Sequence, residues 1–173
     1  VLSQGQARRG CKTKGVMEGN ALIDFKELRQ VLQDYAVDIA ERYKENLVKS
    51  GRPASGALIE SIKTQVRDVA NGRVFYVEMS LLDYWKYIEW GTKPHFPPVS
   101  KIIEWVKVKP VIPSPDDRGR IPTPEQLGWA IANKIAQVGT EGKPDLQSSI
   151  EELDAWYRER LSQALARDVG DYI

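Results

Sequence analysis

Residues 62–81 read IKTQVRDVANGRVFYVEMSL, and this stretch decides the fold. Ile62, Thr64 and Val66 alternate with Lys63, Gln65 and Arg67. Further on, Phe75, Val77, Met79 and Leu81 alternate with Val74, Tyr76, Glu78 and Ser80. A repeat of two places each set on one face of a strand. Between the runs stands Asn71-Gly72, a pair that tolerates the two positive φ angles of a type I′ turn. The pattern predicts an antiparallel hairpin over about 62–70 and 73–81. The rest of the periodic sequence is helical, so the hairpin makes the chain α+β: a small antiparallel sheet with helices packed on it.

Upstream, Leu22, Phe25, Leu28, Leu32, Tyr35, Ile39, Tyr43 and Leu47 recur every three or four residues, with charged residues between them. That spacing predicts a long amphipathic helix. Gly51 and then Pro53 stand where a helix should stop. Ser55-Gly56 marks a turn, and Leu58 and Ile62 open a new apolar face through a short helical turn or directly into the strand. Downstream, 84–90 is a short helix closed by Gly91, with Asp83 as its expected cap, or else an irregular strand. Val99, Ile102, Ile103 and Val106 mark a helix with Pro98 at its start and Trp105 on its flank. Five prolines between 110 and 124 exclude a periodic face there, so that stretch is expected to be a projecting loop. Thr123, with Glu125 and Gln126 after it, caps a helix carrying Leu127, Ala130, Ile131, Lys134, Ile135 and Val138, stopped by Gly139. A last helix carries Ile150, Leu153, Tyr157, Leu161, Ala164 and Leu165.

The 173-residue length, 42% hydrophobic and 28% charged content fit one globular domain. No apolar run approaches the ~20 residues of a membrane helix, so no membrane partner is expected. The single cysteine, Cys11, excludes an internal disulfide and a cysteine metal cage. Residues 1–16 hold Arg8, Arg9, Lys12 and Lys14 and no acid, a local +4 against a chain total of +1, which leaves 17–173 at −3. This basic, Gly-rich, aperiodic segment is expected to be flexible, with Met17 as the natural start and 17–173 as the single domain. The alternative function for it is a nucleic-acid-binding arm. The remaining body, slightly acidic, is not an electrostatic DNA binder.

Chemistry-bearing patterns are sparse. His95 lies between Pro94 and Phe96 without a nucleophile elbow, and its expected use is a backbone hydrogen bond in a turn. GTEGKPD, 139–145, lacks the spacing of a phosphate loop. Asp116 and Asp117 could pair on a magnesium ion, but beside Arg118 and Arg120 they are better taken as a solvated tip. Glu89, among Trp85, Tyr87 and Trp90, could act as a general acid with a raised pKa, or with His95 in a hydrolase. Its expected use is to cap a backbone or meet a partner's cation. Trp105, Trp129 and Trp156 sit in helical patterns and are expected to pack in the core or an interface. No enzyme activity, metal or cofactor is expected.

Four segments in order carry a resemblance: SGALIESI at 55–62, YWKYIEWGTKPHFPP at 84–98, IIEWVKVK at 102–109 and QLGWAIANKIAQVGTEGKPDLQSSI at 126–150. The run Tyr84, Tyr87, Ile88, Glu89, Trp90, Gly91 and Thr92 resembles the Tyr-x-x-Tyr-[Val/Ile]-Glu-[aromatic]-Gly-Thr hallmark of small tail components of long-tailed double-stranded-DNA bacteriophages, described as minor tail, tail-completion or head–tail joining proteins. His95, Pro97 and Pro98 match a His-x-Pro-Pro turn found in part of that family. Asp145-Leu146 departs from a Pro-Phe often seen there.

The resemblance implies a structural virion protein of the neck, assembled in the bacterial host cytoplasm as an oligomeric, expectedly hexameric, ring. Its partners would be itself, other neck and tail proteins, and DNA that passes through without sequence-specific contact. A ring needs heterologous interfaces, hence two different adhesive patches. The candidates are Tyr84, Trp85, Tyr87, Glu89, Trp90, Gly91, Thr92, His95, Pro97 and Pro98 on one side, and Trp156 and Tyr157 on the other. On this view Gly91 permits a turn and Pro94, Pro97 and Pro98 hold a stiff, pre-formed loop.

Overall fold

The computed structural model describes residues 23–51, 56–69, 74–109, 113–115 and 119–170. Asn71-Gly72, the basic N-terminal segment and parts of the Pro-rich loop, Asp116 and Asp117 included, lie outside these. The chain runs α1 (Lys26–Lys49), α2 (Ala57–Ser61), β1 (Lys63–Val69), β2 (Val74–Ser80), α3 (Trp85–Trp90), β3 (Gly91–Thr92), α4 (Val99–Val108), α5 (Pro124–Val138), β4 (Thr140–Glu141) and α6 (Asp145–Gly170).

The hairpin stands as expected. Strands β1 and β2 pair antiparallel, with Thr64 opposite Met79, Val66 opposite Val77 and Asp68 opposite Phe75. These residues, apart from exposed Asp68, are half-buried, while the alternate positions face solvent. A two-stranded sheet is marginal alone, and α1 covers the inner face of this one. Phe25 meets Phe75 edge-on at 6.0 Å, and Arg29 reaches Asp68 at 2.5 Å.

Helix α1 buries Ala36, Ile39, Ala40, Tyr43 and Leu47, the three-to-four spacing of one stripe. Its C-terminal half forms the core with Leu58 of α2 and Ile62, against Met79, Leu81, Trp85, Ile88 and Leu146. Each fully buried Leu or Ile there contributes about 1.5–3 kcal/mol by leaving water. Gly51, at φ +67°, follows the helix and supplies the left-handed residue its end needs.

On its other side α1 lies antiparallel to α6. The pairs follow in register: Asp34 with Arg160, Asp38 with Tyr157, Arg42 with Glu152, Asn46 with Ser149 and Ser50 with Asp145. Hairpin, α1 and α6 therefore form three layers. Helices α4 and α5 form a separate pair inserted between β3 and β4. Gly128 lets them approach closely: a Cβ there would lie 2.5 Å from Ile103 Cγ1.

Three local expectations change. Asp83 does not cap α3; Tyr84 occupies that position and no side chain bonds the first turn. The buried line of α5 is Gly128 and Ala132, not the bulkier residues beside it, because close helix approach selects small side chains. Trp129 and Trp156 are more than half exposed, and Trp105 is at the edge of exposure, so of the expected places, core or interface, the core is removed for all three.

Candidate functional site

The stretch from Glu89 to Thr92 closes the molecule from inside. Helices α3 and α5 both end in Gly-Thr. Gly91 has φ 72° and ψ −166°, and Gly139 has φ 74° and ψ −159°. Their strands pair antiparallel, Thr92 opposite Thr140 and Gly91 opposite Glu141. The contact is reciprocal: a Cβ on Gly91 would lie 2.1 Å from the Thr140 carbonyl oxygen, and one on Gly139 would lie 2.0 Å from that of Thr92. The threonine hydroxyls meet at 2.9 Å, and the Thr140 N–H donates to Thr92 Oγ1 at 3.2 Å. This clasp ties the base of the α4–α5 pair.

Glu89, only 4% exposed, extends the closure to α6. Its two oxygens accept the backbone N–H groups of Leu146 at 3.1 Å and Gln147 at 2.9 Å. The Lys143 N–H donates to the Ile88 carbonyl at 3.0 Å. The first amides of a helix carry partial positive charge and lack intrahelical partners, so a carboxylate is the matching cap. The GTEGKPD segment therefore offers its amides to its own chain, not to a phosphate. Asp168 does the same for α1, accepting from the Glu27 N–H at 3.0 Å and the Leu28 N–H at 2.8 Å. Neither helix has a local side-chain cap: Phe25 precedes α1 and Pro144 precedes α6.

The candidate residues thus divide. Glu89, Gly91 and Thr92 serve the chain's own closure, and Pro97 is buried. His95 is exposed; its N–H donates to the Ile135 carbonyl at 3.4 Å and Nδ1 bonds the Lys93 carbonyl at 2.9 Å, the backbone role expected of it. Pro98 is exposed and precedes α4. Tyr157 is 1% exposed and donates its hydroxyl to Asp38. Burial, and next the Asp38 carboxylate, push its pKa well above the usual tyrosine value, with Arg160 opposing. It stays a neutral donor.

Several aromatic side chains remain on the surface, among them Phe96 and Trp129, whose rings lie 6.1 Å apart. Trp90 is 67% exposed, beside exposed Tyr84 and Tyr87, and its ring lies 5.1 Å from that of half-buried Trp85. Burial raises the Tyr84 pKa, against a hydrogen bond to the Leu58 backbone. On α6, Trp156 is 55% exposed, edge-on to Tyr157 at 4.6 Å, with the Arg160 guanidinium over its ring at 4.4 Å. A third feature escaped sequence reasoning: a groove of about 850 Å³ between α4 and α5, floored by Ile102, Trp105, Ile131, Ile135 and Val138. The doubled Gly-Thr was the one sequence signal for the clasp. Nothing local marked Asp168, Ser149 or the groove.

Among the described residues no cluster of three or more His, Cys, Asp or Glu side chains could hold a metal ion, and no helix is long and apolar enough to cross a membrane. No family model, curated protein or solved structure matches the chain.

Proposed function

We propose that this chain is an assembling structural protein, working through contacts with other protein surfaces. More narrowly, it is a neck component of a long-tailed bacteriophage, a tail-completion or head–tail joining protein that forms a ring around the DNA channel. The observation that carries the reading is the set of exposed aromatic surfaces, Tyr84–Tyr87–Trp90, Phe96–Trp129 and Trp156 among them. Large exposed aromatics anchor interfaces, and two unlike patches are what a closed ring of identical subunits uses. The narrower step rests on the ordered resemblance of 84–98, 102–109 and 126–150 to that family. The internal use of Glu89, Gly91 and Thr92 supports it further: a hallmark that rigidifies the fold holds the neighbouring aromatics in fixed positions for docking.

Negative-stain microscopy with sedimentation velocity on the full chain tests this. Rings with a central channel are the expected result. A chain that stays monomeric at high concentration, alone and with tail tubes or filled heads, overturns it.

A further inference from the structure

We infer that α4 and α5 form a unit that unfolds and refolds on its own while the hairpin, α1 and α6 stay folded, with the Gly-Thr clasp on the folded side of the boundary. The main apolar cluster, built on Tyr43 and Leu47, takes no residue from either helix. Among the described residues α4 and α5 bury only Val106, Gly128 and Ala132, and two of these carry little side chain to remove from water. Helix α1 by contrast buries Ile39, Tyr43 and Leu47. At 10 and 15 residues α4 and α5 are marginal without packing.

Polar contacts draw the same boundary. Outside the clasp, the described residues of the two helices and their caps make one hydrogen bond to the body, from Lys109 Nζ to the Gly51 carbonyl at 2.7 Å, and it is exposed. Lys107 meets Glu125 at 3.5 Å inside the pair. The chain entering and leaving the pair is held together on the body side: the Lys143 N–H donates to the Ile88 carbonyl at 3.0 Å, and Glu89 accepts from Leu146 and Gln147. Opening α4 and α5 therefore releases a loop whose ends remain fixed, and it breaks none of these bonds. A thinly buried element opens at a lower free energy than the whole fold. Anything that binds only the folded pair shifts this equilibrium without touching the body.

Native-state hydrogen exchange of the full chain in rising, sub-denaturing urea tests the unit. Corrected for intrinsic rates, the Val106 and Ala132 amides should exchange together, at least about tenfold faster than those of Tyr43 and Tyr157, and with a smaller urea dependence. The Lys143 amide should follow Tyr43 and Tyr157. Gly128→Val puts a branched side chain where even a Cβ would lie 2.5 Å from Ile103 Cγ1. It should speed Val106 and Ala132 by about tenfold or more and leave Tyr43 and Tyr157 unchanged. Ile39→Val in α1 should do the reverse, speeding Tyr43 and Tyr157 about fivefold. One exchange class for all these amides, or either variant moving both groups together, overturns the unit. A Lys143 amide that follows α4 and α5 overturns its boundary. A Gly128→Val chain with α4 and α5 unprotected beside intact α1 and α6 is the expected result at its limit, and one that unfolds throughout overturns the unit.

Discussion

At the scale of single residues, three glycines with nearly the same backbone angle have different surroundings. Gly51 sits at φ +67° with open space where a Cβ would go, whereas Gly91 and Gly139 face carbonyl oxygens at 2.1 and 2.0 Å. Gly51→Ala should therefore cost about 1–2 kcal/mol, the left-handed penalty alone. Gly91→Ala and Gly139→Ala should each cost more than about 3 kcal/mol, because a backbone oxygen must also move. The double variant should cost less than their sum, since both break one clasp. Urea unfolding of the four proteins measures this. Tyr157 supplies a pH dependence whose sign follows from its raised folded pKa. As pH climbs, the unfolded chain deprotonates first, near a pKa of about 10. Its contribution is complete below that value and falls as pH rises towards the folded pKa. Stability measured between about pH 9 and 11 should fall less steeply in Tyr157→Phe than in wild type. A residual slope should remain from Tyr35 and Tyr84, whose pKa values burial also raises.

Among the elements, the two long helices are capped at a distance. Glu89 lies 57 and 58 residues from the amides it accepts, and Asp168 lies 140 and 141 residues from its own. Removing either leaves helix-start amides without their partner, which costs about 1–3 kcal/mol. Glu89→Ala should accelerate hydrogen exchange at Leu146 and Gln147, with no change at Glu27 and Leu28; Asp168→Ala should do the reverse. Unchanged protection at the facing amides would show that the carboxylates are not what holds the helix starts. The same distances explain what could be read in the sequence. The hairpin, the α1 stripe, Gly51 and the Thr123–Gln126 capping box, with hydrogen bonds of 3.0 and 3.3 Å, depend on neighbours within a few residues, so pattern revealed them. Glu89 announced itself only as an acid among aromatics, and its partner lay beyond any local window. Asp168 gave no signal at all, because it ends a helix whose register on α1 is set by packing. Gly128 broke a helical pattern without stating why; the reason is Ile103 on another helix.

For the whole molecule, hairpin, α1 and α6 form three layers, and the clasp ties the base of the α4–α5 pair beside them. The stretch from Tyr84 to Thr92 mixes two roles that point mutation can separate. Gly91 is internal, and a valine there adds a branched side chain at φ +72° against backbone 2.1 Å away. Gly91→Val should lose the folded state, and with it every activity. Trp90 is 67% exposed, and its ring contact is Trp85 at 5.1 Å. Trp90→Ala should cost no more than about 1.5 kcal/mol, the worth of an aromatic pair, and should keep its circular dichroism and melting close to wild type. If the exposed aromatic surface is an interface of the neck, that folded Trp90→Ala protein should fail to complement particle assembly, leaving separate heads and tails in micrographs. The two variants then give the same loss of infectious particles for different reasons, and the melting curve tells them apart. A folded Trp90→Ala chain that restores a normal particle yield would remove Tyr84, Tyr87 and Trp90 from the assembly contacts, while the clasp and the caps beneath them would keep their internal roles.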